Sequence, residues 1–255
     1  MTFSLEAGKC LGLVGESGCG KSTIAGMIAG FIKKSSGEIY FDGQPQKRRK
    51  PGQIQMVFQN PQESFDPCWR VLNGIAEGAL YTGQYTRQQL FSRARELLDY
   101  VGLPGNYEQK YIHELSGGEC QRVAIARALM CQPRLIIFDE ATSALDVRVQ
   151  AQIMALLLEM KRQFHPAFLF ITHDLALASE ICDDLAVMSQ GEIAERGPTM
   201  DVLQNPQSDY TKLLISSILT MKAPASGRTD GQACLAGCAD ICRQDGMRTG
   251  DTTLA

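Results

Sequence analysis

With 255 residues, 44% hydrophobic and 21% charged, the chain can bury one sizeable core and has the make-up of an ordinary globular protein. Its formal net charge of -3 leaves no basic stripe, which counts against DNA or RNA as the main partner. No basic segment precedes an apolar stretch, and runs such as AFLFI (167–171) fall far short of the ~20 residues that cross a bilayer, so the chain is expected in the cytosol or peripheral on a membrane through partners.

The first element in chain order is LGLVG (11–15), a short buried strand running into a glycine-rich turn. The turn, GESGCGKST (15–23), satisfies G-x-x-x-x-G-K-[ST], so Gly15, Glu16, Ser17, Gly18, Cys19, Gly20, Lys21, Ser22 and Thr23 form a candidate ATP site. Glycines let backbone N–H groups curl around the phosphates, and the helix that follows aims its positive dipole end at them. Lys21 adds a point charge, and the Ser22 hydroxyl is a ligand for Mg²⁺. That helix, KSTIAGMIAGFI (21–32), places Ile24, Met27, Ile28 and Phe31 on one apolar face.

SSGEIYFDGQP (35–45) reads as a hairpin, and QIQMVFQ (53–59) as another apolar strand. Residues 70–112 change character and read as a helical insertion. Within it Leu90, Ala94, Leu97, Leu98 and Val101 keep helical spacing up to Gly102 and Pro104. ELSGGECQR (114–122) is a Ser-Gly-Gly turn opening a helix, a second anion-binding helix N-terminus in the same chain. Its helix, ECQRVAIARALMCQ (119–132), stops at Pro133.

RLIIFDEA (134–141) is a buried strand ending in two acids. Asp139 is placed to hold Mg²⁺ through water, and Glu140 to orient and activate a water on the γ-phosphate side. VQAQIMALLLEMKRQF (149–164) is a helix, and AFLFITHD (167–174) a buried strand with His173 at its end, beside the phosphate site. His113 and His165 lack that context and read as structural. DDLAVMSQGEIAERG (183–197) is a strand pair around Gln190-Gly191, and a last helix covers about 208–221. Beyond it the chain is rich in Gly, Asp and Thr without periodicity, and 222–255 is expected to be a mobile tail.

Strand, phosphate loop, helix, then strands with polar carboxyl ends give an α/β pattern with its ligand above the sheet. GESGCGKST, Gln59 in MVFQN, LSGGECQR, LIIFDEATSALD and ITHD, in that order, resemble the nucleotide-binding subunit of an ABC transporter over residues 1 to about 221. The resemblance implies a P-loop NTPase fold of the ABC ATPase type. Its core sheet is mainly parallel, its antiparallel β subdomain reads as N-terminally truncated, and a helical subdomain is inserted at about 70–130. It implies ATP and Mg²⁺ as ligands, with Ser22, Gln59 and Asp139 on the metal. Glu140 is the implied general base, His173 the switch histidine, and Gln59 the glutamine that senses Mg²⁺ and couples to the membrane domains. Leu115, Ser116, Gly117, Gly118 and Glu119 match the signature that contacts the partner's ATP. Ser143, Ala144, Leu145 and Asp146 match the loop at the dimer seam. Trp69, the only tryptophan, stands at the entrance to the helical subdomain, as a docking anchor or as core packing.

VFQNPQESFDP (57–67), KYIHELSGGE and NPQSDYTKLL (205–214) resemble the importer ATPases for oligopeptides, dipeptides and nickel, and FLFITHDLALASEICDDLAVMSQGEI their second ATPase subunit. The implied partners are a second ATPase subunit, equal or different, docked head to tail, two membrane permease subunits, and indirectly a solute-binding protein. The implied location is the cytoplasmic face of the cell membrane. Two alternatives stay open: a soluble ABC ATPase without a transport role, and an ATP-binding regulatory subunit. The region between Gly15 and Leu115 lacks the extended heptads of repair-type ATPases, and Lys21, Asp139, Glu140 and His173 are intact.

Among nine cysteines, Cys10, Cys19, Cys68, Cys120, Cys131 and Cys182 are scattered singly and read as reduced thiols. Cys234, Cys238 and Cys242 stand at i, i+4, i+8; the importer group that the chain resembles often carries a Cys-rich C-terminus that can bind an iron–sulfur cluster, with wider spacing than here. A Cys₄ cluster needs a fourth thiolate that is not evident, which favours a degenerate tail over a metal or cluster site. Cys19 lies inside the phosphate loop, so bound ATP should protect it from alkylation. Cys120 stands where relatives often have glutamine, which implies an altered partner contact. Upstream of the loop, Phe3 is the one aromatic residue and fits a core-facing strand better than an adenine platform, so base stacking is expected to be missing.

Overall fold

CLGLV forms β1 (Cys10–Val14), buried at every position, as a strand must be when helices cover both faces of a parallel sheet. A computed structural model describes residues 1–46, 52–80, 82–83 and 85–221, with backbone only for 218–221. Met1–Ser217 form one compact unit. The expectations for the 222–255 tail and for Cys234, Cys238 and Cys242 lie outside the described residues.

β1 sits inside a six-stranded sheet with β4 (Ile54–Val57), β5 (Leu135–Asp139), β6 (Ala167–Thr172), β7 (Asp184–Ser189) and β8 (Glu192–Pro198). The order is β4-β5-β6-β1-β7-β8, parallel throughout except for β8, which runs antiparallel to β7. The register sets Val14 beside Thr172 and Asp139 beside Ile171. The carboxyl ends of β5, β6 and β1 therefore form one ledge. β2 (Tyr40–Phe41) and β3 (Gln44–Pro45) form a separate antiparallel hairpin. The fold is thus mixed α/β with a mainly parallel core sheet and an antiparallel sheet, as the sequence predicts.

The helix α1 (Lys21–Ala29) leaves the end of β1 and lays Ile24 and Ala25 on Leu11, Leu13, Leu169 and Ile171. It is shorter than the periodicity predicts. Gly30 adopts a left-handed conformation and donates to Gly26 O, so the helix ends there and Phe31, expected on the buried face, is 70% exposed. Phe3, expected on a core-facing strand, lies in a segment, residues 1–9, that forms no strand. Ser4 O instead accepts from Arg196 Nη2 at 2.7 Å, and Phe3 is half-buried against the core.

The helices α2 (Val71–Leu80), α3 (Arg87–Tyr100) and α4 (Gly117–Met130) pack on one another. α3 starts in a capping box between Thr86 and Gln89. Arg127 of α4 fastens the loop after β4, donating to Ser64 O and Oγ at 2.6 Å each and stacking 3.8 Å over the Phe65 ring. α5 (Val147–Phe164) packs on α4 and α6. Two short helices, α6 (Leu175–Ile181) and α7 (Thr199–Gln204), are too brief for periodicity to reveal, and α8 (Asp209–Met221) closes the described chain.

The scattered cysteines are less separate than their spacing suggests. Cys10 and Cys182 meet in the core with sulfurs 3.6 Å apart. Beside them Asp183 Oδ2 accepts from the Cys10 N–H and from Lys161 Nζ, at 2.7 Å each, tying β1, β7 and α5 together. Cys120 is wholly buried, which corrects its assignment to a partner contact: burial pushes its thiol up to about 12.

Candidate nucleotide site

The phosphate loop spans the turn between β1 and α1. Ser17, Gly18, Gly20, Lys21, Ser22 and Thr23 line a cavity at its mouth, together with Glu140 from the end of β5. Gly20 takes the N-cap position of α1 in a left-handed conformation, with no side chain capping the helix and no acid in its first turn. The α1 terminus therefore keeps its positive end for an external anion. Lys21 is 5% exposed and donates to Gly15 O at 2.9 Å and Glu16 O at 2.8 Å, folding its ammonium into the loop. Cys19, half-buried, has its sulfur 3.8 Å from the same nitrogen.

Ser22 Oγ, on the cavity wall, donates to Asp139 Oδ1 at 3.0 Å, so a carboxylate from the end of β5 backs the lining hydroxyl. Burial raises the Asp139 pKa and Glu140 adds to the rise, against the Ser22 hydrogen bond and the Lys21 charge. Hard oxygen donors beside a phosphate loop suit Mg²⁺. Gln59, expected on the same ion, is not among the residues lining the cavity. Its Nε2 donates instead to Ser143 Oγ at 3.1 Å.

Glu140 follows the last residue of β5 and turns the chain with a left-handed φ of 49°. A non-glycine residue held there costs roughly 1–3 kcal/mol and persists only where its surroundings fix it. Three hydrogen bonds do so: Glu140 N donates to Ile171 O, and Ser143 donates to Glu140 O through both its N–H and its Oγ. The turn aims the carboxylate over the ledge, where Oε2 lies 3.5 Å from His173 Nδ1 beyond β6. Gln59, Ser143, Glu140 and His173 thus form a chain of contacts along the strand ends. Ser143 is its hub, accepting from Gln59 and donating to Glu140.

The signature residues stand apart from this cavity. Leu115 is buried, Ser116 caps α4, and Glu119 closes a capping box, with Oε2 accepting from Ser116 N at 2.7 Å. Tyr107 donates to the other Glu119 oxygen, which lowers the Glu119 pKa, and the Ser116 N–H lowers it further. Gly118 is seated on α5: a Cβ there would meet Val149 Cγ1 at 2.4 Å. A Cβ on Gly117 would lie 3.6 Å from Leu145 Cδ2. The segment Ser143–Asp146 therefore touches the cavity residues at one end and the signature helix at the other. Ala144 is exposed, and Asp146 Oδ1 caps α5 by accepting from Arg148 and Val149 N–H, at 3.0 Å each.

Of the other two histidines, His113 stacks on Tyr111 and His165 ends α5 in a left-handed conformation. Trp69 is half-buried. A further contact reaches the loop from the far end of the chain. Tyr210 of α8 accepts from the Glu16 N–H of the phosphate loop at 3.2 Å. Its signal was present in NPQSDYTKLL, a recognisable motif whose tyrosine has no role that spacing alone reveals.

The model of the ABC transporter family matches residues 1–143. The di/tripeptide transport ATP-binding protein DppF of Pseudomonas aeruginosa is 40% identical over 85% of this chain and 69% of its own. The oligopeptide transport ATP-binding protein OppF of Escherichia coli K12 is 41% identical over 86% and 68%. The glutathione import ATP-binding protein GsiA of Pectobacterium atrosepticum is 44% identical over 86% of this chain, which spans 36% of that protein's length. Among solved structures, cbiO1 of Clostridium perfringens, part of the ABC transporter complex cbiONQ, superposes with a TM-score of 0.71 at 26% identity, covering 88% of both chains. The ATP-binding cassette MJ0796, a dimer in a post-hydrolysis state bound to ADP and phosphate, gives 0.67 at 27% identity, covering 77% of this chain and 88% of its own.

Proposed function

The chain belongs to the ABC transporter family, and from that premise we propose that it is the ATP-hydrolysing subunit of an importer for small peptides. The observation that carries the reading is one cavity lined by the phosphate loop and Glu140, with Asp139 hydrogen-bonded to its Ser22 wall. Hydrolysis needs a bound triphosphate, a counter-charge and a group that orients water, and these residues supply each.

The loop amides and the α1 terminus bind phosphate oxygens, and Lys21 turns its ammonium from loop carbonyls to phosphate. Ser22 and Asp139 would hold Mg²⁺, which withdraws charge from the phosphate oxygens when bound. Glu140 orients a water at the cavity edge and takes its proton. His173, in contact with the Glu140 carboxylate, fixes its direction. Gln59 reports on the site through Ser143. Because the signature residues lie outside the cavity, the full site needs a second cassette, identical or related, docked head to tail. No helix among the described residues is long and apolar enough to cross a membrane. The importer reading assigns membrane work to two permease subunits, with this chain peripheral on their cytoplasmic side. The names of the relatives at 40–44% identity support peptides or glutathione as cargo.

Two measurements test the reading. The purified chain should hydrolyse Mg-ATP, and Glu140→Gln should bind ATP without turning it over. A Glu140→Gln variant with native hydrolysis would remove Glu140 from its role. Cells lacking the gene should lose uptake of labelled dipeptide, tripeptide or glutathione. Loss of nickel uptake alone would move the cargo to the metal.

A further inference from the structure

The helix α8 lies beyond every motif that contacts nucleotide, yet it returns to the phosphate loop. Tyr210, on its second residue, places its hydroxyl 3.2 Å from Glu16 N, one residue after the glycine that opens the loop. We infer that Tyr210 is a positioning residue for ATP binding, holding the leading limb of the phosphate loop against the sheet.

Three further contacts close the circuit. The loop rests on β7: a Cβ on Gly15 would lie 2.2 Å from Met188 O, so the limb is already pressed onto that strand. β7 pairs with β8, whose Glu195 carboxylate accepts from Gln207 N at 2.8 Å and Ser208 N at 3.0 Å, just ahead of α8. An acid at the start of a helix fixes its position and suits its dipole. Burial raises the Glu195 pKa, but these hydrogen bonds and Lys212 outweigh it and the net direction is down. Glu195 thus sets where α8 begins, and Tyr210, in its first turn, reaches the loop. β1, β7, β8, α8 and the phosphate loop form a ring. The Tyr210–Glu16 bond is the one link in that ring made by a tyrosine side chain to the loop itself.

The inference rests on the nucleotide-site reading above, and the test separates the two. In the full chain without nucleotide, Tyr210→Phe should speed amide hydrogen exchange in the peptide covering residues 15–23, while the melting temperature stays native. In the same variant the Kd for a fluorescent ATP analogue should rise about two- to tenfold, the reach of one net hydrogen bond, with turnover at saturating ATP unchanged. Leu213→Ala, which trims an exposed side chain of the same helix, should leave both values native. Native exchange in Tyr210→Phe overturns the anchor. Faster exchange with an unchanged Kd overturns the role in binding. An equal shift in Leu213→Ala assigns the effect to α8 packing and overturns the role of the hydroxyl. If the native chain binds no ATP, the function reading falls, and the role of Tyr210 in binding falls with it.

Discussion

Two helices in this molecule begin on small residues, and the sequence predicts both as anion-binding ends. They are built in opposite ways. α1 starts on Gly20, with no side-chain cap and no acid in its first turn, so its end faces the cavity open. α4 starts on Ser116, with Glu119 folded back onto the Ser116 N–H and held by Tyr107. The first end is prepared for a phosphate, whereas the second is satisfied by its own carboxylate. A Ser-Gly-Gly turn therefore does not specify an open anion site by itself. The α4 end would receive a partner's phosphate by exchanging or sharing contacts already made.

The largest test of that contrast acts beside α1. Glu140→Gln should lower ATP turnover by about 10²–10⁴-fold, the usual worth of a positioned base, with nucleotide binding retained in an equilibrium assay. Lys21→Ala should come next, weakening ATP binding by roughly 10- to 100-fold through loss of a charge-assisted contact, read by titration with a fluorescent nucleotide. At the other end, Ser116→Ala should cost about 1 kcal/mol of stability, a drop in Tm of about 2–4 °C, and leave ATP affinity of the isolated chain unchanged. A matching loss of affinity would erase the distinction between the two ends.

The smallest test is a pH series. The Glu119 pKa is lowered in the folded chain, so its contribution is fully present above the ordinary value of 4.5 and is lost as pH falls through its lower folded value. Acid should therefore narrow the gap in melting temperature between the native chain and Glu119→Gln. A gap that widens on acidification would place the wrong sign on the cap.

The sheet was legible because its strands are short apolar runs that stop at polar residues. RLIIFDE and AFLFITH announce both the strand and the ledge that bears Asp139, Glu140 and His173. Phe31 was misread because helical periodicity continues past Gly30, while the backbone leaves the helix at that glycine. What periodicity could not show were contacts between residues far apart in sequence. These include Gln59 with Ser143, Cys10 with Cys182, and Tyr210 with Glu16. Each depends on the order of strands in space, and parallel neighbours leave no mark on local spacing. Cys120 shows the reverse error, since a position beside a surface motif faces inward on the next helical step.

The strand order also sets a timetable. β1 is made first, yet its ladders join Cys10 to Phe168 and Leu11 to Asp184. As the polypeptide leaves the ribosome, the phosphate loop emerges early and waits without a sheet until β6 and β7 follow. Pairings so distant in sequence are slow to close, and synthesis runs at about 5–20 residues per second. Nascent chains that end before β7 should therefore be unable to use nucleotide to stabilise themselves. The loop becomes competent only once β6 and β7 have been made.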